Sequence, residues 1–572
     1  MLDIIADQIN RGDAELAWNL LTDYLSENNE TCKTDILKSS ILLMKGLKID
    51  FINAISKGFE RNYKNYELYV LLAEFYSALN INQEYICLQQ AMFYCDNTQD
   101  RDIIASQMMS IKDEISVRKT SVIILSYNTK DITKMCLDNL FSNCNSEDIE
   151  VLVVDNASKD GSVDMLKYYP KVKTLVNTEN RGFAGGCNDG IAVANSENDI
   201  LLLNSDALLL PNSLFWLKMG LYEANDVGCT GSITNFAGND QAVAVDTSSF
   251  EKVMEYALMT NIPMYCPYVK KIFLVGFSML IKREAMNKVG VLDERFNPGN
   301  FEDTDYGVRL AEEGYKMLLC RNSFVYHFGH KSIQKIDTDF NSLMETNRNK
   351  FVKKWGIDIL DYSQIRFELV DYIKRDNYEE FNVLEVGCGC GCTMGYLEGK
   401  YPNAHIDGIE VNQIAADIGG KIFNIYQDDF ETPKQKYKAE YYDYILLGNV
   451  LECLYNPKGA LERAYKLLKP NGYVIVGIPN FMHISVLTQL LNGRFDYEES
   501  GIPERTHIRF FTLQTITELL ADTGYMVKNT TAIKDNINYK EELGKIMTVA
   551  GKNVPSIQFE AYQYLLVAQK PD

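Results

Sequence analysis

A sequence of 572 residues is long enough for about three or four domains at the usual ~100–200 residues each, which excludes one core carrying one function. Hydrophobic residues at 46% and charged residues at 24% are those of a folded globular chain, not a disordered or fibrous one. The 78 acidic and 57 basic residues leave a net charge of −21, and with no dense Lys/Arg cluster such a chain repels a phosphate backbone, so nucleic acid is excluded as a partner.

No apolar run reaches the ~18–20 residues that cross a bilayer, and the opening MLDIIADQIN lacks a basic start and an apolar stretch. The expectation is a cytoplasmic protein without membrane insertion. The 13 cysteines are scattered through helix-like and strand-like segments, as where thiols stay reduced. Cys388, Cys390 and Cys392 alternate with glycines and have no second ligand pair nearby, so they read as small residues of a tight loop and not as a metal cluster.

From Asp13 to Asp96 apolar residues recur at helical spacing, and residues 1–117 are expected to be all-helical. Leu25, Phe59 and Phe93 fall at a period of 34, each closing a segment that aligns as the second helix of a hairpin. That period resembles tetratricopeptide-like repeats, with a plain helical bundle as the alternative. Near Arg118 the pattern changes to TSVIILSYN, a helix-like stretch, then EVLVVDNAS, and strands alternate with helices to about Phe328. Such alternation predicts a mostly parallel sheet covered on both faces, over residues 118–356. Residues 357–378 read as a connector. At Phe381, FNVLEVGCGCGC opens a second series of strand, glycine turn and helix that occupies 379–572. Without a Pro/Ser-rich linker between the parts, close packing is expected.

In open α/β sheets ligands bind at the carboxyl ends of the strands. Ser126, Tyr127 and Asp155 stand at two such ends; Asp155 can serve a base edge or a ribose, or cap the helix after Gly161. NRGFAGGCNDG, with Asn180 and Gly185, reads as a glycine-rich turn that lets backbone approach a ligand. The apolar strand ILLLN ends at Asp206, an expensive place for a carboxylate unless a cation such as Mg²⁺ or Mn²⁺ joins it to phosphates. EDTD then supplies Glu302, Asp303 and Asp305, and VYHFGH supplies His327 and His330.

Together these motifs, over roughly Thr120 to Gly356, resemble family 2 glycosyltransferases of the GT-A fold, in the rhamnosyltransferase-like branch. The resemblance implies that Ser126, Tyr127, Asp155, Asn180, Gly185 and Asp206 hold a nucleotide sugar. It implies further that Asp206 and His327 are metal or diphosphate ligands, Asp303 the catalytic base and Glu302 an acceptor contact. Asn204 departs from the family's Asp-x-Asp metal motif at its first position. One base without a covalent nucleophile predicts inversion at the anomeric carbon.

In the last segment Glu385 precedes Gly387, Gly389 and Gly391, and Glu410 follows about twenty residues on, a pattern compatible with a dinucleotide site. With QDDFE and YDYILLGNVLECL at later strand ends, it resembles class I S-adenosylmethionine-dependent methyltransferases with a Rossmann-like fold. The resemblance implies S-adenosylmethionine bound by Glu385, the three glycines, Glu410 at the ribose and Asp429 at the adenine. Many relatives carry Glu-His where this chain has Glu452-Cys453, which removes an imidazole base and leaves His483 or His507 as substitutes. The expected function is sugar transfer from a UDP- or dTDP-sugar to Ser/Thr of a surface protein such as flagellin, with methylation of the glycan. The alternatives are polysaccharide assembly on a lipid carrier, or a partner-binding scaffold.

Overall fold

A computed structural model describes residues 1–329, 340–537, 539–550 and 554–572. It divides into two compact units, Met1–Trp355 and Gly356–Asp572.

Among the described residues, the first unit begins with seven helices between Leu2 and Ile111. Side chains of Asn and Asp start several of them, as where Asn80 accepts from the amides of Asn82 and Gln83. Leu25, Phe59 and Phe93 fall on the helices Ala14–Glu27, Lys48–Asn62 and Ile81–Tyr94, each the later helix of a packed pair. The region is not an independent domain. Phe59 and Tyr69 pack against Trp216 and Phe215, and the Tyr69 hydroxyl donates to Asn212 Oδ1 at 2.8 Å.

The sheet of this unit contains β1 (Thr120–Ser126), β2 (Ile149–Asp155), β3 (Val172–Val176), β4 (Asp199–Asn204), β5 (Ala207–Leu209), β6 (Val227–Thr234), β7 (Tyr268–Lys271), β8 (Ser278–Ile281) and β9 (Lys316–His327). Its order is β3-β2-β1-β4-β8-β6-β9-β5, with β7 also on β9. The strands from β3 to β4 are parallel, whereas β8 runs antiparallel to β4 and β6, so the sheet is mixed and not mostly parallel throughout. The order reverses between β1 and β4, and at that switch point the carboxyl ends open a crevice.

The second unit contains β10 (Asn382–Val386), β11 (His405–Glu410), β12 (Ile425–Gln427), β13 (Tyr442–Gly448), β14 (Leu468–Pro479), β15 (Met526–Lys534) and β16 (Ala561–Gln569). The order β12-β11-β10-β13-β14-β16-β15, with β16 antiparallel to both neighbours, is a doubly wound sheet with its switch point between β10 and β13. Residues 357–378 are not a free connector. The Tyr362 carbonyl accepts from the amide of Cys390 at 2.7 Å and the Arg366 amide donates to Thr393, so this stretch braces the glycine loop. No helix among the described residues is long and apolar enough to cross a membrane.

Candidate functional site

At the switch point of the first sheet, Asp155 ends β2 fully buried. Its Oδ1 accepts from the amide of Ser158 at 2.8 Å, while its Oδ2 is buried without a hydrogen-bond partner. The helix after Gly161 has no side-chain cap; Asp160, not Asp155, accepts from the amide of its first residue, Ser162. Ser126 is buried, with its hydroxyl in a cluster with Thr129 and Thr133. Tyr127 is half-buried beside it. Asn180 Oδ1 accepts from the amide of Gly182 and from Asn156 Nδ2, and Asn156 Oδ1 accepts from Asn177.

The glycines of NRGFAGGCNDG lie inside the helix Gly182–Val193 and differ from the expected ligand turn. A Cβ on Gly186 would stand 2.3 Å from Leu125 Cδ1, and one on Gly190 2.5 Å from Ile123 Cγ2. Their smallness lets the helix lie on β1. Gly185 is likewise buried, facing Arg181 and Asn297.

Asp206 follows β4, and His327 ends β9 opposite Ala207 of β5. His327 Nδ1 lies 2.9 Å from the Phe236 carbonyl, an acceptor only, so that nitrogen carries the proton and Nε2 bears the lone pair. Nε2 faces Asp206 Oδ1 at 3.2 Å, and that oxygen is buried with no hydrogen-bond partner. Two lone pairs this close in a dry site call for a shared proton or a cation. The pair could supply two ligands to a divalent metal; among the described residues no trio of His, Cys, Asp or Glu is arranged to hold one alone. His330 lies outside the described residues.

Gly276 and Phe277 knit this pair to the acids. The Gly276 amide donates to Asp303 Oδ2 at 3.0 Å, the Phe277 ring stacks on His327 at 5.2 Å, and the Phe277 carbonyl accepts from the Asn204 amide. The three acids of EDTD separate by environment. Asp303 is half-buried, and desolvation raises its carboxyl above the usual range against the pull of the Gly276 and Thr304 amides. Glu302 is buried with one unpartnered oxygen, and desolvation and the neighbouring Asp303 push its carboxyl well above the usual range. Asp305 is structural: Arg309, Lys354 and the Trp355 indole converge on it. Asn347, which donates to the carbonyls of Phe296, Gly299 and Asn300, fixes the loop before EDTD, and neither its position nor that of Gly276 carries a signal in the sequence.

In the second unit Gly387, Gly389 and Gly391 all have positive φ (70°, 55° and 83°), a conformation that favours glycine. Glu410 accepts from two amides through its two oxygens, Gly389 and Asn412, each at 2.8 Å. Glu385 is buried with Oε2 unpartnered, and desolvation pushes it up to about 8 against Thr393 and Arg366. A buried acid with one unpartnered oxygen near Arg366 suits the ammonium and carboxylate of an amino-acid-bearing cofactor, so these residues fit S-adenosylmethionine. Asp429 accepts from the Glu431 amide and the Thr432 hydroxyl, at the turn after β12. Cys388 and Cys390 are buried within the loop, and Cys392, also buried, opens the helix Cys392–Lys400 that follows it.

Residues 121–290 match the family described as glycosyl transferase family 2, and residues 350–529 match a methyltransferase domain. The chain carries a family 2 glycosyltransferase domain and a methyltransferase domain. By that assignment it is an enzyme, a glycosyltransferase. It is similar to the uncharacterized glycosyltransferase YfnE of Bacillus subtilis (strain 168), 25% identical over 286 residues, 42% of this chain and 72% of that protein. The later part is similar to malonyl-[acyl-carrier protein] O-methyltransferase 2 of Ilyobacter polytropus, 23% identical over 206 residues, 34% of this chain and 75% of that one. Among solved structures, GalNAc-T7 with UDP, GalNAc and Mn²⁺ aligns at 16% identity and TM-score 0.33, over 43% of this chain and 49% of its own. The chain thus spans about half of that structure.

Proposed function

We propose that the first unit transfers a sugar from a UDP- or dTDP-sugar to a hydroxyl, with inversion at the anomeric carbon. The observation that carries this reading is the lone-pair pair of Asp206 and His327 joined through Gly276–Phe277 to a single half-buried carboxylate, Asp303. Asp303 takes the acceptor's proton, and its raised pKa makes it the stronger base. Glu302, next to Asp303 in the chain, is buried and too enclosed to act as a covalent nucleophile. Asp206 and His327 would hold Mg²⁺ or Mn²⁺, which when bound offsets the charge of the leaving diphosphate. The orphaned Asp155 Oδ2 serves the nucleoside.

The acceptor in this reading is Ser/Thr of a surface protein such as flagellin. The second unit would bind S-adenosylmethionine through Glu385, Glu410, Asp429 and the glycine loop, and methylate the attached sugar. Mass spectrometry of a candidate acceptor coexpressed with the chain tests both steps. A hexose-class mass increment, lost in Asp206→Ala and in chelator, supports the transfer. Full turnover in chelator would remove the metal from the reading.

A further inference from the structure

The carboxyl end of β13 carries a second set of unsatisfied groups, beside the glycine loop. Val450 Cγ2 would stand 3.0 Å from a Cβ on Gly387. Two residues on, Glu452 is 2% exposed, with both carboxylate oxygens free of hydrogen-bond partners. Its backbone carbonyl accepts from the amides of Ile508 and Arg509, each at 2.9 Å, which fixes the HIRFF segment against it. His507 Nδ1 lies 2.8 Å from the Ile502 carbonyl, so Nδ1 carries the proton and Nε2 the lone pair. Nε2 stands 3.9 Å from Glu452 Oε1 and 3.9 Å from Glu504 Oε2. These gaps are too long for hydrogen bonds but admit a hydroxyl oxygen at ~2.8 Å from each atom. His507 Nε2 thus stands near two carboxyl groups without bonding either, and among the described residues no trio of His, Cys, Asp or Glu is arranged for a metal.

An aromatic tier continues from the same segment. Phe510 packs on Phe481 at 4.6 Å and Phe495 at 5.8 Å, and Phe495 meets Tyr497 at 5.1 Å. Phe510 and Tyr497 are exposed. Apolar rings next to clustered acceptors match a ligand with C–H faces and several hydroxyls, which is a sugar. We propose that Glu452, His507 and this tier form the acceptor subsite of the methyltransferase unit, which takes a carbohydrate hydroxyl and passes its proton to His507 Nε2. The proposal rests on reading the second unit as a methyltransferase. The acceptor oxygen bonds to the methyl carbon as that carbon's bond to the sulfonium sulfur breaks; the sulfur keeps the electron pair and leaves as a neutral sulfide. The proton moves to Nε2, and the imidazolium rests beside the Glu452 carboxyl group. Burial pushes that carboxyl up to about 8, and it keeps its own proton through the step.

The chain has five histidines, so selective histidine labelling of the full-length protein resolves His507 by NMR, assigned from its loss in His507→Gln. Titration with methyl pyranosides of gluco, galacto and rhamno configuration should shift the His507 signal saturably, and Glu452→Gln should weaken the response. With S-adenosylmethionine present, His507→Gln should lower methyl transfer to these probes by ~10² or more, while cofactor affinity by calorimetry stays within about twofold. An unmoved His507 signal at saturating pyranoside, or undiminished transfer in His507→Gln, would overturn the subsite. A chain that binds no S-adenosylmethionine would overturn the methyltransferase reading instead, and the cofactor-free titration still decides the subsite.

Discussion

Glu302 and Asp303 are adjacent in sequence, yet burial separates their chemistry. Asp303→Asn keeps the shape but cannot take a proton, so turnover should fall by ~10² or more with donor affinity little changed. Because the base works deprotonated and desolvation raises its pKa, the acid limb of kcat/KM should lie above the ordinary aspartate range. A profile flat down to the usual carboxylate pKa, or a mild Asp303→Asn with a crippling Glu302→Gln, would reverse the assignment. Glu385 offers a stability test of the same physics. Its folded pKa of about 8 exceeds the ordinary glutamate value, so the folded state binds more protons between the two and stability falls as pH rises through that window. From pH 6 to 8 the loss is about 2–3 kcal/mol at ~1.4 kcal/mol per unit. Thermal melts of the apo chain should show this decline, and Glu385→Gln should remove its share of it, while the share of Glu452, likewise pushed up to about 8, remains. An equal decline in the variant would place the effect elsewhere.

At the scale of elements, strand ends were the legible part. A buried apolar run closing on Asp155, Asp206 or Glu410 advertises a site, because a carboxylate there needs a ligand or a partner. Glycines were less legible, since the same residue type serves two geometries. Gly186 and Gly190 let a helix touch β1 side chains, whereas Gly387, Gly389 and Gly391 take positive φ in a loop. Only backbone angles tell these apart. The bracing of that loop by Tyr362 was not readable either, because its contact is made by a carbonyl, which every residue has. Gly389→Ala puts a Cβ 2.4 Å from that carbonyl oxygen at φ 55°. The loop must shift, and the Gly389 amide bond to Glu410 shifts with it. Cofactor binding by calorimetry should be lost or weakened by more than ~1 kcal/mol, whereas Gly238→Ala, with nothing within 4 Å, should leave it unchanged. Unaltered binding in Gly389→Ala would show that the loop does not hold the cofactor.

At the scale of the molecule, the change of periodicity near Arg118 marks a change of architecture but not a boundary between units. The first unit runs from Met1 to Trp355, because the helices complete the core behind the sheet. Trp216 and Phe215 are nearly fully buried, against Phe59 and Tyr69. Periodicity reports local structure, while the partner of an apolar face is a tertiary fact that spacing does not encode. Polar contacts follow the same seam. Gln83 Nε2 donates to the Met219 carbonyl at 2.9 Å, Asn80 Nδ2 to the Tyr222 carbonyl at 2.8 Å, and Ser56 to the Pro263 carbonyl. A chain starting at Lys119 would expose two large aromatics, each worth about 1.5–3 kcal/mol of burial, and strip these carbonyls of donors. It should aggregate or melt well below the full chain. Phe59→Ala, a milder form of the same damage, should cost about 3–5 kcal/mol in the first unit's transition and leave the second unit's unchanged. A monodisperse fragment from Lys119 that melts with the full chain would show instead that the helices are dispensable to the fold, and would free them to be read as a docking element.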